Sequence, residues 1–307
     1  EHRDLDSFPT RRSSDLSKTG LCMLMVITFA TIAGVQAAPA PAGNDTVAFT
    51  VLSLKDGLPN SSVSSIVQDS RGFLWMGTQG GLVRYDGTGF TTWENEPFNE
   101  KSISGDLIQT MFLDDDDTLW IGTYAGLNRF EADSDTFRHY RFSADDPSSL
   151  SNDLVIAIAR DARGHLWVGT LNGLNRLDES TGTFTRYFND PGNPASLANN
   201  TVRSLFLDSR GRLLVGTTGG ALASYDYNRD RFDRLDTDQD GNRIIPANLS
   251  MQNIAEDKRG NLWLAAWGTG LVRLGPDMKS TDVYPLPDNR IYILNTQSDG
   301  QIRAGTW

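Results

Sequence analysis

The chain holds one cysteine and three histidines in 307 residues, and those shortages remove whole classes of chemistry. Cys22 is the single thiol, so no internal disulfide and no multi-cysteine metal site can form. His139 and His165 stand without a Cys, His, Asp or Glu at a recognisable ligand spacing, and both read as surface residues. There is no nucleophile elbow, no phosphate-cradling glycine loop and no zinc motif. Basic charge is scarce as well: 28 Lys and Arg face 39 Asp and Glu, for a net charge of −11. A basic face for nucleic acid is therefore not expected, and the acidity serves solubility. Amphipathic helices are missing: after residue 45 no segment keeps apolar spacing of about 3.6 without a Gly or Pro. The longest apolar run, Leu21 to Val35, is short for a membrane span.

What is present is a phrase that returns about every 45 to 50 residues, Asp-x-x-Gly-x-Leu-Trp-x-Gly-Thr-x-x-Gly-Leu-x-Arg. One copy runs from Asp69 through Gly72, Leu74, Trp75, Gly77, Thr78, Gly81 and Leu82 to Arg84. Another runs from Asp161 through Trp167, Gly169 and Thr170 to Arg176. Around Trp120 the turn Gly becomes Asp117; around Leu214 the Trp itself is gone; around Trp263 the Gly-Thr pair becomes Ala265-Ala266. A further copy begins at Gly300 and stops at Trp307.

Each period divides into four short segments. An apolar stretch such as Val63 to Val67 or Leu154 to Ile158 comes first. After a polar turn, Phe73 to Gly77 forms the second. The third starts at the Gly-Leu pair, and the fourth carries Phe-x-x-aromatic, as in Phe90 and Trp93 or Phe137 and Tyr140. Short runs of β-branched and aromatic residues split by Gly and Asp are strands. Four strands per period predict an all-β chain, a β-propeller of four-stranded antiparallel blades. About five and a half blades are present, of an expected seven. Trp75, Trp120, Trp167 and Trp263 stand two residues from Gly or Ala on one strand face and read as blade-to-blade packing. Val47 to Leu54 reads as an outer strand that would complete the last blade of a closed ring.

The amino-terminal residues are of another kind. Residues 1–16 read as an assembly artefact, because Ser7 to Leu16 is a sequencing adapter translated in one frame. Residues 17–37 read as a secretory signal: Lys18 begins it, Leu21 to Val35 is its apolar core, and Val35-Gln36-Ala37 gives small residues before cleavage. An uncleaved anchor is the alternative. Residues 38–44 form an Ala/Pro linker, and 45–307 the partial propeller.

Few residues stand out as a site. Asp236-x-Asp238-x-Asp240-Gly241 resembles half a calcium loop, but Ala247 occupies the position of the bidentate Glu, so a solvated connection is the better reading. Asp114 to Asp117 reads as a solvated hairpin tip. No metal, cofactor or catalytic residue is expected. The connection from strand two to strand three lies on the same face as the loop leading into strand one, where binding residues collect. Its residues vary between repeats, and Tyr124, Asn172 and Trp267 are the candidate ligand contacts. Inner-strand segments such as Ser64 to Gln68 and Val155 to Ala159 are Ser, Ile, Val and Ala, which disfavours catalysis.

Leu119-Trp120-Ile121-Gly122-Thr123 with Gly126-Leu127-Asn128-Arg129, and the lead-in Gly57-Leu58-Pro59-Asn60, resemble the two-component regulator propeller family. The resemblance covers roughly residues 45 to 307. It implies the ligand-sensing periplasmic domain of an inner-membrane signalling receptor, with a histidine kinase or diguanylate cyclase as output. It also implies an intact gene with at least one more blade, a membrane helix and a cytoplasmic domain. A small molecule or oligosaccharide is the expected ligand, and a receptor homodimer the expected assembly. A secreted propeller enzyme, a polysaccharide lyase or glycosidase, is the alternative.

Overall fold

Six consecutive inner strands follow one another around an axis, each the start of a blade. The computed structural model describes residues 51–306 apart from 220, 221, 239, 241, 247, 248, 287, 298 and 299. The segments read from the sequence as artefact (1–16), signal (17–37) and linker (38–44) lie outside the described residues.

Blade one comprises β1 (Val63–Gln68), β2 (Leu74–Thr78), β3 (Gly81–Tyr85) and β4 (Phe90–Trp93). Blade two is β5 (Ile108–Leu113), β6 (Leu119–Thr123), β7 (Gly126–Glu131) and β8 (Thr136–Tyr140). Blade three is β9 (Val155–Arg160), β10 (Leu166–Thr170), β11 (Gly173–Asp178) and β12 (Thr183–Tyr187). Blade four is β13 (Val202–Leu207), β14 (Leu213–Thr217), β15 (Leu222–Asp226) and β16 (Arg231–Arg234). Blade five is β17 (Ser250–Glu256), β18 (Leu262–Trp267), β19 (Gly270–Leu274) and β20 (Thr281–Tyr284). Blade six shows β21 (Ile291–Thr296) and β22 (Ile302–Thr306). Strands pair with their chain neighbours in every sheet, all antiparallel, as in a propeller. The four-segment reading of the period therefore matches the strands to within a residue or two.

The expected outer strand at Val47 to Leu54 falls mainly outside the described residues. Its described end differs from the expectation: residues 51–53 are irregular, and Leu54–Asp56 form one turn of 3-10 helix capped by Ser53.

Two features of the repeated phrase explain blade packing. The Gly of strand two is where the next blade comes closest. A Cβ added at Gly122 would stand 2.5 Å from Val155 Cγ1, and at Gly169 2.7 Å from Val202 Cγ1. So the Gly is a socket for the β-branched residue that opens the next inner strand. The Gly that opens strand three is needed for its backbone: Gly126 has φ 118°, and a Cβ there would meet the Tyr140 carbonyl oxygen at 2.7 Å.

The Trp residues fill the space between blades. Trp120 and Trp167 are fully buried; Trp120 shares a cluster with Val155, Leu166 and Phe184 of blade three. Trp75 packs edge-on against Phe130 of blade two, with ring centroids 5.1 Å apart. The indole N–H has a second task that the sequence did not disclose. Asp161 Oδ2 accepts the Trp167 indole at 2.7 Å, while Oδ1 accepts the backbone N–H of Arg163 and His165 at 2.8 and 2.9 Å. Asp69 with Trp75, and Asp257 with Trp263, repeat the arrangement. In blade four, where Leu214 replaces the Trp, Arg212 Nε takes its place on Asp208 at 2.7 Å.

Several polar residues expected at the surface are engaged. Asp114 is not a solvated tip: it accepts the Trp120 indole and the Arg160 guanidinium of blade three. Asp117 takes the left-handed turn position (φ 64°) that Gly fills elsewhere, and accepts Ser70 of blade one. His165 is about half exposed yet contacts the Asp161 carboxylate at 3.1 Å. His139 is partly buried, with Nε2 2.6 Å from the Ser102 carbonyl. Burial lowers its pKa, against the opposing pull of that carbonyl. Asp236 is buried against Arg234 and Arg243, and Asp238 Oδ1 caps the N–H groups of Asp240 and Asn242. These carboxylates turn onto the chain itself rather than outward.

Candidate functional site

The loops between strands two and three are fixed from both sides. In blade two the Tyr124 N–H donates to the Leu107 carbonyl at 3.2 Å, just before β5. Two residues on, the Gly126 N–H donates to the Asp153 carbonyl of the next blade at 2.8 Å. Gly173 to Asn200 and Gly81 to Asp106 repeat the cross-blade bond. The strand two–three loops thus share one face with the lead-in to each inner strand. Thr123 and Thr170 hold the loops from within. Each donates its hydroxyl to a Gly carbonyl at the start of strand three and accepts an N–H two residues on. In blades two and three a buried Ser-Thr-Asn network completes the frame, Ser104 with Thr123 and Asn128, Ser151 with Thr170 and Asn175.

On this rigid frame stand the three residues chosen from the sequence. Tyr124 is 51% exposed, Asn172 is exposed and Trp267 is 39% exposed. They occupy blades two, three and five. Trp267 alone of the three has an aromatic neighbour among the described residues, Tyr292 of blade six, at 4.9 Å and nearly perpendicular.

Sequence reasoning missed a second set of residues at the inner edge of the same face. Every pairing between strands one and two carries one register shift, at the second residue of the inner strand or, in blade five, at the third. The bulged residues are Ser64, Gln109, Ile156, Arg203, Gln252 and Tyr292. A β-bulge bends its strand and re-aims its side chain, and bulges recur beside binding sites. The signal was present in the sequence: this position changes from Ser to Gln, Ile, Arg and Tyr while its preceding neighbour stays apolar. The expectation of bland inner strands came from blades one and three and fails in blade two, with Gln109, and in blades four to six, where Arg203, Gln252 and Tyr292 stand.

Two open clefts lie on the outer flank of blades one and two. One of about 280 Å³ is lined by Trp93, Glu96, Lys101 and Asp135, and one of about 420 Å³ by Glu100, Arg138, His139 and Arg141. No group of His, Cys, Asp and Glu among the described residues is arranged to hold a metal ion. No described helix is long and apolar enough to cross a membrane.

Over 63 residues the chain is 43% identical to histidine kinase P4 of Formosa agariphila, a stretch that is 20% of this chain and 5% of that protein. The extracellular domain of a hybrid two component system from B. thetaiotaomicron is 27% identical, with a TM-score of 0.53 over 84% of this chain and 40% of that one. Virginiamycin B lyase from Staphylococcus aureus shares the fold at 13% identity, with a TM-score of 0.56 over 80% of this chain and 85% of the lyase. The chain thus spans less than half the length of its two signalling relatives. The family described as two component regulator propeller matches at residues 57–80, 102–125, 149–172 and 196–219, each running from the lead-in of a blade to its strand two–three loop. Those four matches identify repeats of the two-component regulator propeller family in this chain.

Proposed function

We propose that this propeller is the extracytoplasmic ligand-sensing domain of a membrane-bound signalling receptor whose output is a phosphorelay kinase or a diguanylate cyclase. The observation that carries the reading is the 27% identity, over 84% of the chain, to an extracellular domain of a hybrid two component system. The site geometry agrees with it. A rigid backbone frame displays partly exposed aromatic and amide groups on one face, which suits recognition of a small molecule or oligosaccharide. The secretory signal at 17–37 supplies a route out of the cytoplasm. Ligand binding would act by favouring one of two arrangements of the whole receptor.

The test is a transcriptional or second-messenger readout in cells lacking the gene, complemented with the wild type or with Tyr124→Ala/Trp267→Ala. The double variant is expected to fold, to reach the envelope and to lose the response. A cytoplasmic location for the wild-type protein, or an undiminished response from the variant, would overturn the reading.

A further inference from the structure

Blades four, five and six share a set of contacts at the inner end of the loop face. Their bulged residues, Arg203, Gln252 and Tyr292, are joined by a continuous chain of contacts. Arg203 Nε donates to Thr218 Oγ1 at 3.4 Å. Thr218 forms an antiparallel bridge to Ser250 of the next blade. Ser250 Oγ accepts Gln252 Nε2 at 2.8 Å, and Ser250 pairs across the ladder with Trp267. Trp267 meets Tyr292 edge to face, at an interplanar angle of 86°. One cation, one amide and two aromatic rings from three blades therefore converge on one patch.

The state of each group says what the patch takes. Trp267 and Tyr292 leave 39% and 40% of their surface open, whereas Trp120 and Trp167 are sealed between blades. Two rings at right angles make a corner with an apolar face and polar tips, suited to the mixed surface of a pyranose ring. Arg203 has no carboxylate within ion-pair distance among the described residues, in a chain with 39 acids to 28 bases. Arg290 also influences the Tyr292 phenol, but Asp288 already holds it at 2.7 Å. A guanidinium without a carboxylate of its own, beside a sugar-shaped aromatic corner, suits a ligand that brings a carboxylate.

We propose that Arg203, Gln252, Trp267 and Tyr292 form a subsite for a uronate residue within an acidic oligosaccharide. The inference rests on the sensor reading above and narrows its ligand. Arg203 takes the carboxylate, the Gln252 amide takes ring hydroxyls, and the aromatic corner holds the apolar face of the sugar. Tyr124 and Asn172 belong to other blades and not to this subsite. A neutral sugar would use the rings and leave the cation unmatched.

Isothermal titration calorimetry of the intact protein tests it, with trimers of galacturonate, mannuronate and glucuronate and with maltotriose and cellotriose as neutral counterparts. At least one uronate trimer is expected to bind more tightly than both neutral trimers. Arg203→Gln is expected to weaken that binding roughly tenfold or more, with an unchanged unfolding midpoint. Trp267→Ala should weaken it as well, an independent check if the Arg203 variant folds poorly. Binding of neutral trimers that is indifferent to Arg203→Gln would overturn the acidic-sugar inference and leave the sensor reading standing. No binding of any uronate trimer would also overturn it, while the sensor reading is decided separately by the cellular response.

Discussion

Adding a single methyl group at Gly122 should push two blades apart. The backbone of Gly122 lies outside the left-handed region, so an Ala there carries no conformational strain of its own. By reducing the freedom of the unfolded chain it would even stabilise by about 0.4–1 kcal/mol. Against this stands geometry: the new Cβ would lie 2.5 Å from Val155 Cγ1, 2.7 Å from Thr110 Cγ2 and 3.0 Å from Val155 Cβ. Val155 is fully buried on an inner strand and cannot swing away. Overpacking a close-packed interior typically costs about 1–3 kcal/mol, so the net effect is a destabilisation of about 1–2 kcal/mol. For a chain of this size that lowers the unfolding midpoint by roughly 2–8 °C. Blade five sets an upper limit on the cost, because Ala265 occupies the equivalent position, fully buried beside Ile291. Thermal melts followed by circular dichroism would measure the change. Gly89→Ala serves as the control: a Cβ there meets nothing within 4 Å, and the midpoint should hold or rise slightly. Combining Gly122→Ala with Val155→Ala should recover part of the loss, a coupling of about 0.5 kcal/mol or more. A Gly122→Ala midpoint equal to or above wild type, or additive effects in the double variant, would refute the socket reading.

Further outcomes follow from the same contacts. Trp120→Ala removes a fully buried ring and should cost about 3–5 kcal/mol, whereas Tyr124→Ala, half exposed, should change stability by less than about 0.5 kcal/mol; urea titration compares them. Burial raises the carboxyls of Asp69, Asp161 and Asp257, but indole, side-chain and backbone donors more than reverse it, so their pKa values lie below the ordinary one. A lowered carboxyl contributes stability above its unfolded pKa of about 3.9 and loses it as pH falls through the folded value. Unfolding midpoints should therefore drop as pH is lowered past about 4, and less steeply in Asp161→Asn, which itself should be destabilised at pH 7 by about 1–3 kcal/mol. Phe98 is fully exposed with φ 70°, a conformation that costs an L residue about 1–2 kcal/mol, so Phe98→Gly should leave the midpoint unchanged or raise it.

The sequence by itself determined the blade. A spaced Trp, Gly, Thr and Gly repeating at one interval, with Asp at the turn and aromatics in the fourth strand, dictates four short antiparallel strands, because each residue answers a local geometric need. Gly126 must have φ above zero, Thr123 must reach a carbonyl three residues on, and Asp161 must cap its own turn. Such needs act over a few residues and leave a periodic trace. Tertiary structure alone decided what lies between blades. That the Asp161 carboxylate also takes the Trp167 indole could not be read from spacing, since the ring's orientation depends on Tyr225 of the next blade, 4.7 Å away. That Asp114 is held by Arg160, 46 residues on, likewise depends on how one blade sits against another. The patch of Arg203, Gln252, Trp267 and Tyr292 is the strongest case. Its members span about ninety residues, and each looks like an ordinary strand residue in its own repeat. Only the bulge near the start of every inner strand, and the rotation from blade to blade around the axis, bring the four side chains to one place.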